Sequence, residues 1–297
     1  MDQAEVLRQM VFNNTVKPSA RVITVTSGKG GVGKSSISLN LAMSMSKMGK
    51  KVILLDADFG LANIEVMLGT RPKANLSDLM FRGKDIKDII IDGPEGIKFI
   101  SGGSGIQELA KMTKEQCLYL TKKLAELDDL ADIIIIDTGA GISDSVLEFV
   151  ASSNEVLLVA TPEPTSITDA YALLKALNRK SEFSKSSTVI KMVANRVHSE
   201  NEGKNVLYEN MKNVVGRFLN ISLEYLGSIP DDKELQRAVM RQIPIVVSAP
   251  DSPAARAITE MAKVLLNGDE NVSATKEERG ITLLFSNLIR TKFKKKK

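Results

Sequence analysis

Short apolar runs alternate with longer amphipathic segments along most of this 297-residue chain. The apolar runs are rich in Val and Ile, which is typical of strands covered on both faces of a sheet. They lie at residues 22–26, 51–55, 97–100, 132–136, 155–160, 188–194 and 225–229. The intervening segments repeat apolar residues every three or four positions and predict helices at 114–127, 165–177, 206–219 and 253–266. This alternation predicts an α/β fold with a doubly wound, mainly parallel sheet flanked by helices on both faces.

A glycine-rich segment lies directly after the first predicted strand. Residues 28–36 read Gly-Lys-Gly-Gly-Val-Gly-Lys-Ser-Ser and contain the spacing G-x-x-x-x-G-K-[ST] of a P-loop NTPase. The glycines let successive backbone N–H groups point inward, and the following helix dipole adds to their attraction for phosphate. Lys34 is expected at the β and γ phosphates, and the Ser35 hydroxyl at Mg2+. The residues expected to contact nucleotide here are Gly28, Lys29, Gly30, Gly31, Val32, Gly33, Lys34, Ser35 and Ser36.

Carboxylates follow two other predicted strands. Residues 51–55 run into Asp56 and Asp58, and residues 132–136 end at Asp137. Ligands gather at the carboxyl ends of parallel strands, so these carboxylates are expected beside the phosphate-binding loop. One carboxylate there can hold the water shell of Mg2+, and another can orient the attacking water. A single aspartate at a strand end can equally cap a turn or helix, but three beside one loop favour the nucleotide site.

The loop sequence Lys29 to Ser35 resembles the deviant Walker A loop of the MinD/ParA/NifH class of ATPases. The resemblance implies an ATP-dependent homodimer in which Lys29 crosses to the partner's nucleotide and supplies charge compensation, as an arginine finger does in other NTPases. It also implies that Asp58 positions the attacking water, that Asp56 lies near the metal and that Asp137 opens the second switch. The alternative for Lys29 is a solvated loop lysine.

Two further strand ends are candidates for base recognition. Asn195 and Arg196 follow residues 188–194, and Pro230 and Asp231 follow residues 225–229. In the class that the chain resembles, residues at these positions line the adenine pocket. An amide both donates and accepts, which suits the edge of adenine. Ordinary turn formation is the competing explanation.

The first residues form a separate segment, joined to the first strand by a polar linker. Asp2 can cap a short helix, and Ala4, Leu7 and Met10 or Val11 make a narrow apolar stripe. The string Asp-Gln-Ala-x-x-Leu-Arg is similar to the amino-terminal motif of flagellar number regulators of the FlhG/FleN type, which stimulates a partner GTPase of the FlhF type, related to the signal recognition particle. The residues of this GTPase-activating motif are Asp2, Gln3, Ala4, Leu7 and Arg8. A frayed terminus is the alternative.

The last residues also form a separate segment. Residues 267–279 are polar and predict a linker, and residues 280–297 predict an amphipathic helix that ends in four lysines. The helix is too short to span a bilayer, but an apolar face with a basic rim suits an in-plane helix on anionic lipid. That face comprises Ile281, Leu284, Phe285, Leu288, Ile289 and Phe293. The alternative is a helix docked on the protein's own core, or on the nucleotide-free body as an autoinhibitory lid. MinD-like proteins end in a membrane-targeting helix of this type.

Charge and cysteine content argue against several related functions. The chain has a formal charge of +4, and the basic residues of the last segment, Arg290, Lys292 and Lys294 to Lys297, exceed that total, which leaves no global basic surface for DNA. One cysteine excludes a disulfide or a Cys-x-x-Cys metal site. The predicted organisation is a docking peptide and linker (1–20), a MinD-like ATPase domain (21–266), a linker (267–279) and a membrane-targeting helix (280–297).

The function predicted from these features is that of an ATPase switch that regulates flagellar number or placement. It would be cytoplasmic, and peripheral on the cytoplasmic membrane when bound to ATP and Mg2+. Its expected partners are a second copy, anionic lipid, an FlhF-type GTPase and, as further candidates, proteins of the flagellar switch complex. A MinD-type ATPase that places the division site and a ParA-type partition ATPase are the alternatives.

Overall fold

The computed structural model of the chain describes residues 19–58, 63–103, 113–268 and 280–294, which contain an eight-stranded sheet. Its strands in chain order are β1 (Arg21–Thr26), β2 (Val52–Ala57), β3 (Ile91–Asp92), β4 (Lys98–Ser101), β5 (Ile133–Thr138), β6 (Glu155–Ala160), β7 (Val189–Val197) and β8 (Leu223–Pro230). Their spatial order is β3-β4-β2-β5-β1-β6-β7-β8, and every neighbouring pair is parallel except β3 and β4. The predicted mainly parallel α/β fold is therefore confirmed.

Helices cover both faces of this sheet. In chain order they are α1 (Lys34–Lys47), α2 (Asn63–Met67), α3 (Leu76–Phe81), α4 (Ile86–Ile89), α5 (Lys114–Leu130), α6 (Asp144–Ala151), α7 (Pro164–Leu177), α8 (Glu209–Leu219), α9 (Lys233–Arg241), α10 (Ile245–Ser248), α11 (Pro253–Asn267) and α12 (Ile281–Lys294). A 3-10 turn occupies Pro94–Gly96, and a π-helix, Glu202–Tyr208, leads directly into α8.

Alternate residues of the central strands point to opposite faces of the sheet and build two cores. Ile133 and Ile135 of β5 share one apolar cluster with α1 and α11, whereas Ile134 and Ile136 share another with α5 and α12. All four side chains are almost fully buried. Because successive Cβ atoms of a strand alternate in direction, an unbroken apolar run is what a strand between two helical layers requires.

The sheet brings the aspartates predicted at strand ends together at the carboxyl ends of its central strands. Asp56 of β2 lies directly opposite Asp137 of the adjacent parallel strand β5. β1, which leads into the glycine-rich loop, pairs with β5 on its other side. The carboxyl ends of β1, β2 and β5 therefore meet where the phosphate-binding loop begins, as the sequence predicts.

The C-terminal helix α12 is docked on the body. Ile281, Leu284 and Phe285 are buried, and the Phe285 ring meets Phe149 of α6 edge to face at a centroid distance of 5.8 Å. Of the arrangements considered from the sequence, the structure contains the helix that covers its own core. An apolar face of this spacing suits lipid and protein equally, and here α5 and α6 supply apolar partners.

Candidate nucleotide-binding site

The phosphate-binding loop has the backbone geometry that its glycines predict. Gly31 and Gly33 take φ values of 77° and 98°, in the left-handed region that favours glycine. Helix α1 begins at Lys34 directly after Gly33, and no side chain caps its first turn. The N–H groups at this end of α1 therefore point into the loop, where an anion can accept from them.

Gly28 is required by close packing. A Cβ atom at this position would lie 2.1 Å from the backbone carbonyl carbon of Asp169 in α7. The start of the loop is thus pressed against α7, and only glycine permits this approach. The loop is further tied to the segment after β5, because the N–H of Gly141 donates to the carbonyl of Ser27 over 2.9 Å.

Asp137 lies at the centre of a buried charged cluster. Its Oδ1 accepts from the Ser38 hydroxyl over 3.1 Å, and Ser35 donates to the same carboxylate. Burial raises the pKa of Asp137 to about 6, against the lowering effect of Ser35 and the charge of Lys34. Burial also lowers the pKa of Lys34, which the charges of Asp137, Asp58 and Asp56 oppose.

Asp56 holds the backbone that follows β2 in place. Its Oδ1 accepts from the N–H of Asp58, and its Oδ2 accepts from the N–H of Ile64, each over 3.1 Å. Burial, followed by the charge of Asp137, raises the pKa of Asp56 to about 7. Asp58 accepts from the Asn63 amide over 3.0 Å. It also approaches the loop after β5, since a Cβ at Gly139 would lie 3.3 Å from Asp58 Oδ1.

The cluster fits a nucleotide with Mg2+. Asp137 Oδ2 and Ser36 Oγ are buried without a hydrogen-bond partner, so a ligand or metal-bound water would satisfy them. No three His, Cys, Asp or Glu side chains in the described residues converge to hold a metal on their own. This agrees with the usual Mg2+ site of a P-loop, in which phosphate and water supply most ligands. Ser35 and Asp137 are the best-placed protein groups, while both oxygens of Asp56 already accept from the backbone.

Lys29 contacts its own chain at the rim of the loop. Its Nζ lies 2.9 Å from Glu163 Oε2 and 2.8 Å from Thr165 Oγ1, at the beginning of α7. The hydrogen bond and charge of Lys29 hold the pKa of Glu163 below its usual range. The ammonium is exposed and lies outside the buried cluster around Asp137.

The predicted adenine-binding residues are brought to the same edge. The Asn195 amide donates to the carbonyl of Val32 over 2.7 Å, and its Oδ1 is buried without a partner. Asn195 is almost fully buried, and a base or a water would satisfy its Oδ1. Arg196 is exposed and has a φ of 57°, an uncommon backbone conformation that often marks a functional position. Pro230 ends β8, and the N–H of Asp231 donates to the carbonyl of Val197, which holds the two loops together.

A family model described as "ParA: NUBPL iron-transfer P-loop NTPase" matches residues 19–266. The chain belongs to the ParA family of P-loop NTPases. Membership identifies it as an ATP-binding P-loop ATPase, in agreement with the loop and the aspartates described above.

The relatives include a protein named as an antiactivator and one named for determining the flagellum site. The chain is 42% identical to "Antiactivator FleN" of Pseudomonas aeruginosa over 82% of its own length and 85% of the relative's. It is 33% identical to "Flagellum site-determining protein YlxH" of Helicobacter pylori over 94% and 92% of the two chains. The structure of the septum site-determining protein MinD with Mg-ADP from Pyrococcus horikoshii matches with a TM-score of 0.67 at 25% identity, covering 84% of this chain and 98% of that one.

The predicted tail residues are described only in part. The GTPase-activating motif, Asp2, Gln3, Ala4, Leu7 and Arg8, lies outside the described residues, as do the side chains of Ile289 and Phe293. Leu288, on the predicted lipid-facing side of α12, packs partly buried against the core. None of the helices in the described part of the chain has the length and apolar content needed to cross a bilayer.

Several residues at this edge were not anticipated from the sequence. Glu163 and Thr165 hold Lys29, and Asn63 holds Asp58. Glu163 and Thr165 lie just after the strand at residues 155–160, so their position at a strand end was a usable signal. Asn63 lies in the same segment as Asp58 but its type is equally common in turns.

Proposed function

We propose that this ParA-family protein is a Mg2+-dependent ATPase switch that dimerises with ATP and regulates flagellar number or placement. The observation that carries the proposal is the buried cluster of Lys34, Ser35 and Asp137 beneath the loop, with Asp137 Oδ2 left unpaired. The flagellar assignment is supported by the 42% identity to FleN. The 33% identity to YlxH is close to the 32% identity to a putative septum site-determining protein MinD of Tupiella akineta, so FleN carries this argument. The small charge of the chain outside its C-terminal segment argues against DNA as a partner.

In the proposed reaction the loop N–H groups and Lys34 hold the phosphates. Mg2+, when bound, offsets charge on the β and γ phosphates. Ser35 and Asp137 would hold it directly or through water. Asp56 keeps the backbone that carries Asp58 in position by accepting from the N–H groups of Asp58 and Ile64. Asp58 orients the attacking water, and Asn195 with Arg196, Pro230 and Asp231 surrounds the base.

Lys29 acts on the nucleotide of a second protomer in this proposal. To do so, it must leave Glu163 and Thr165 of its own chain. Size-exclusion chromatography with light scattering tests the step: Asp58→Ala with ATP should give a dimer, and Asp58→Ala with Lys29→Ala should give a monomer that still binds ATP. A monomer in the single variant would refute ATP-dependent dimerisation.

Membrane attachment requires that α12 leave the body, because its apolar face is buried there. Each released helix would bind anionic lipid weakly, and two in one dimer would bind far better. Sedimentation with vesicles of anionic and zwitterionic lipid tests this. ATP should increase binding of Asp58→Ala to anionic vesicles only, and deletion of residues 280–297 should abolish it. Equal binding after the deletion would reject the membrane role.

The N-terminal motif is proposed to stimulate an FlhF-type GTPase. A peptide of residues 1–15 should accelerate GTP hydrolysis by such a GTPase. Gln3→Ala in the peptide should remove most of the acceleration, since a glutamine is suited to orienting the water in GTP hydrolysis. Gln9→Ala, at a glutamine outside the motif, serves as the matched control. No acceleration by the unaltered peptide would return the choice to division-site or partition ATPases.

A further inference from the structure

The two tails of the chain leave the body at one point. A Cβ built on Gly280, just before α12, would lie 3.0 Å from the Cβ of Ser19 and 2.9 Å from Asp128 Oδ2. The backbone N–H of Ala20 also donates to Asp128. The segment of residues 1–18 therefore joins the body beside the N-terminal end of the docked helix.

The surface beneath α12 is suited to an amphipathic helix. Leu120, Leu124 and Leu127 of α5 and Phe149 of α6 belong to the apolar cluster that receives Ile281, Leu284 and Phe285. At one end of this groove, Asp128 accepts from the N–H groups of Ile281 and Thr282 over 3.0 and 3.4 Å, and from the Thr282 hydroxyl over 2.7 Å. Apolar side chains at helical spacing and a free first turn are the features that the groove recognises.

We propose that residues 3–11 of the N-terminal tail occupy this groove when α12 leaves it. Val6, Leu7, Met10 and Val11 have the same relative spacing as Leu284, Phe285, Leu288 and Ile289. The seven residues 12–18 can extend about 23 Å, and the 14 residues of α12 cover about 21 Å, so the tail can reach any part of the groove.

The sizes of the side chains explain why α12 is the occupant in this structure. On alignment of the two patterns, Gln3 matches Ile281, Val6 matches Leu284 and Leu7 matches Phe285. The tail would therefore bury less apolar area in the groove than α12 does. Because both segments are attached beside the groove, the one with the larger apolar side chains, α12, occupies it. Once α12 is on a membrane, the groove is an exposed apolar surface beside the tail, and covering it is favourable.

The consequence is that the two tails act in alternation. This step rests on the proposed release of α12 to a membrane. While α12 is docked, Leu7 and Arg8 are available to a partner GTPase; after its release, the groove competes for them. Membrane attachment would thus reduce GTPase stimulation, and a GTPase bound to the tail would keep the groove free for α12.

Limited trypsin digestion of the full chain tests the docking of the tail. Arg8 lies within the docked segment, so the initial rate of cleavage after Arg8 in the full chain, relative to that in a free peptide of residues 1–15 with the same tail sequence, reports protection. Leu284→Asp with Phe285→Asp places two carboxylates at buried positions and releases α12 without any membrane. The relative rate should fall by about fivefold or more, because a docked helix is cleaved only in its minor open state.

Two further changes identify the contact. Adding Met10→Asp, on the apolar stripe, should restore the rate seen in the unaltered chain, whereas adding Gln9→Ala, on the opposite side, should not. An unchanged relative rate after release of α12 would overturn the proposal, as would equal effects of Met10→Asp and Gln9→Ala. If the double variant does not stay folded, the milder Phe285→Ala replaces it. The same relative rate of cleavage after Arg8 is measured, and a smaller decrease is expected.

A vesicle arm separates this proposal from the membrane proposal. The Asp58→Ala chain with ATP and anionic vesicles should show the same protection of Arg8 as the helix-release variant without lipid. Protection in the release variant but no vesicle binding would leave the groove proposal standing and reject the membrane role. If the Asp58→Ala chain bound vesicles but Arg8 was unprotected both there and in the release variant, the membrane role would stand and the groove proposal would be rejected.

Discussion

Lys29 is held by Glu163 of the same chain: the Nζ of Lys29 and Oε2 of Glu163 lie 2.9 Å apart, at the rim of the phosphate-binding loop. Thr165 accepts a second hydrogen bond from the same ammonium. The lysine that is expected to reach a partner's nucleotide is therefore engaged in cis in the single chain. Dimerisation through Lys29 must first break these contacts in both protomers.

Replacing Glu163 should consequently favour the dimer. In Glu163→Gln the charge attraction between Lys29 and residue 163 is lost in each protomer. Because both protomers must release Lys29 when a dimer forms, the effects of the two changes on the dissociation constant multiply. Exposed ion pairs are weak, so the dimer dissociation constant with ATP should fall by only about twofold to tenfold. Analytical ultracentrifugation in the Asp58→Ala background measures it, with Glu260→Gln, another exposed ion-paired glutamate, as the control. A weaker dimer would mean that Glu163 acts within the interface instead.

Gly28 and Gly30 should respond differently to alanine. A Cβ at Gly28 would meet backbone atoms of Asp169 at 2.1 Å, whereas the nearest atom at Gly30 is the Ala140 Cβ at 3.9 Å. Gly28→Ala must displace the loop from α7 and should cost about 1–3 kcal/mol or more of folding free energy. Gly30→Ala should leave unfolding by urea almost unchanged. Equal midpoints for the two variants would contradict the close packing of Gly28.

Asn195 should support nucleotide binding through the loop as well as through the base. Its amide donates to the carbonyl of Val32, and removal of a partner from a buried polar group costs about 1–3 kcal/mol. Asn195→Ala should therefore weaken ATP binding by about tenfold or more, as measured by isothermal titration calorimetry. Inorganic triphosphate, which has no base, separates the two roles. If Asn195 acted on adenine alone, triphosphate binding would be unaffected.

The fold followed closely from the sequence because its signals are local. Runs such as residues 132–136 have no polar interruption, and the observed strand Ile133–Thr138 differs from the prediction by one or two residues at its ends. The phosphate-binding loop was recognisable because its glycines, lysine and serine must stand at fixed spacing to bind phosphate. The short helices α3 and α4 were missed, although Asn75 with Asp78 and Asp85 with Asp88 form capping boxes that mark their starts.

The sequence predicted that Lys34, Asp56 and Asp137 would lie at the same ends of neighbouring strands, but not which side chains would pair there. Which partner Lys29 takes depends on Glu163, which is 134 positions away, and no spacing along the chain encodes that contact. The docking of α12 on the body could not be predicted from the sequence for a different reason. The same pattern of apolar residues suits binding to lipid and packing on protein. That α12 docks on the body follows from the apolar surface that Leu124, Leu127 and Phe149 form beneath it.

The docking of α12 should depend on pH through Asp128. Burial raises the pKa of Asp128 above its ordinary 3.8, and the hydrogen bonds from Thr282, Ile281 and Ala20 only partly oppose this. A carboxyl whose pKa is raised in the docked state favours docking when protonated. Its contribution is complete below about pH 3.8 and is lost as the pH rises through the docked-state pKa.

Hydrogen exchange of the backbone at residues 281–288 measures this dependence, after correction for the intrinsic pH effect on exchange. Protection should decrease from pH 4 towards pH 7, while amides of the central strand Ile133–Thr138 report any global change. Asp128→Asn keeps the acceptor oxygen but cannot ionise, so its protection should not vary with pH. If the unaltered chain and Asp128→Asn gave parallel profiles, the ionisation of Asp128 would have no part in holding the helix.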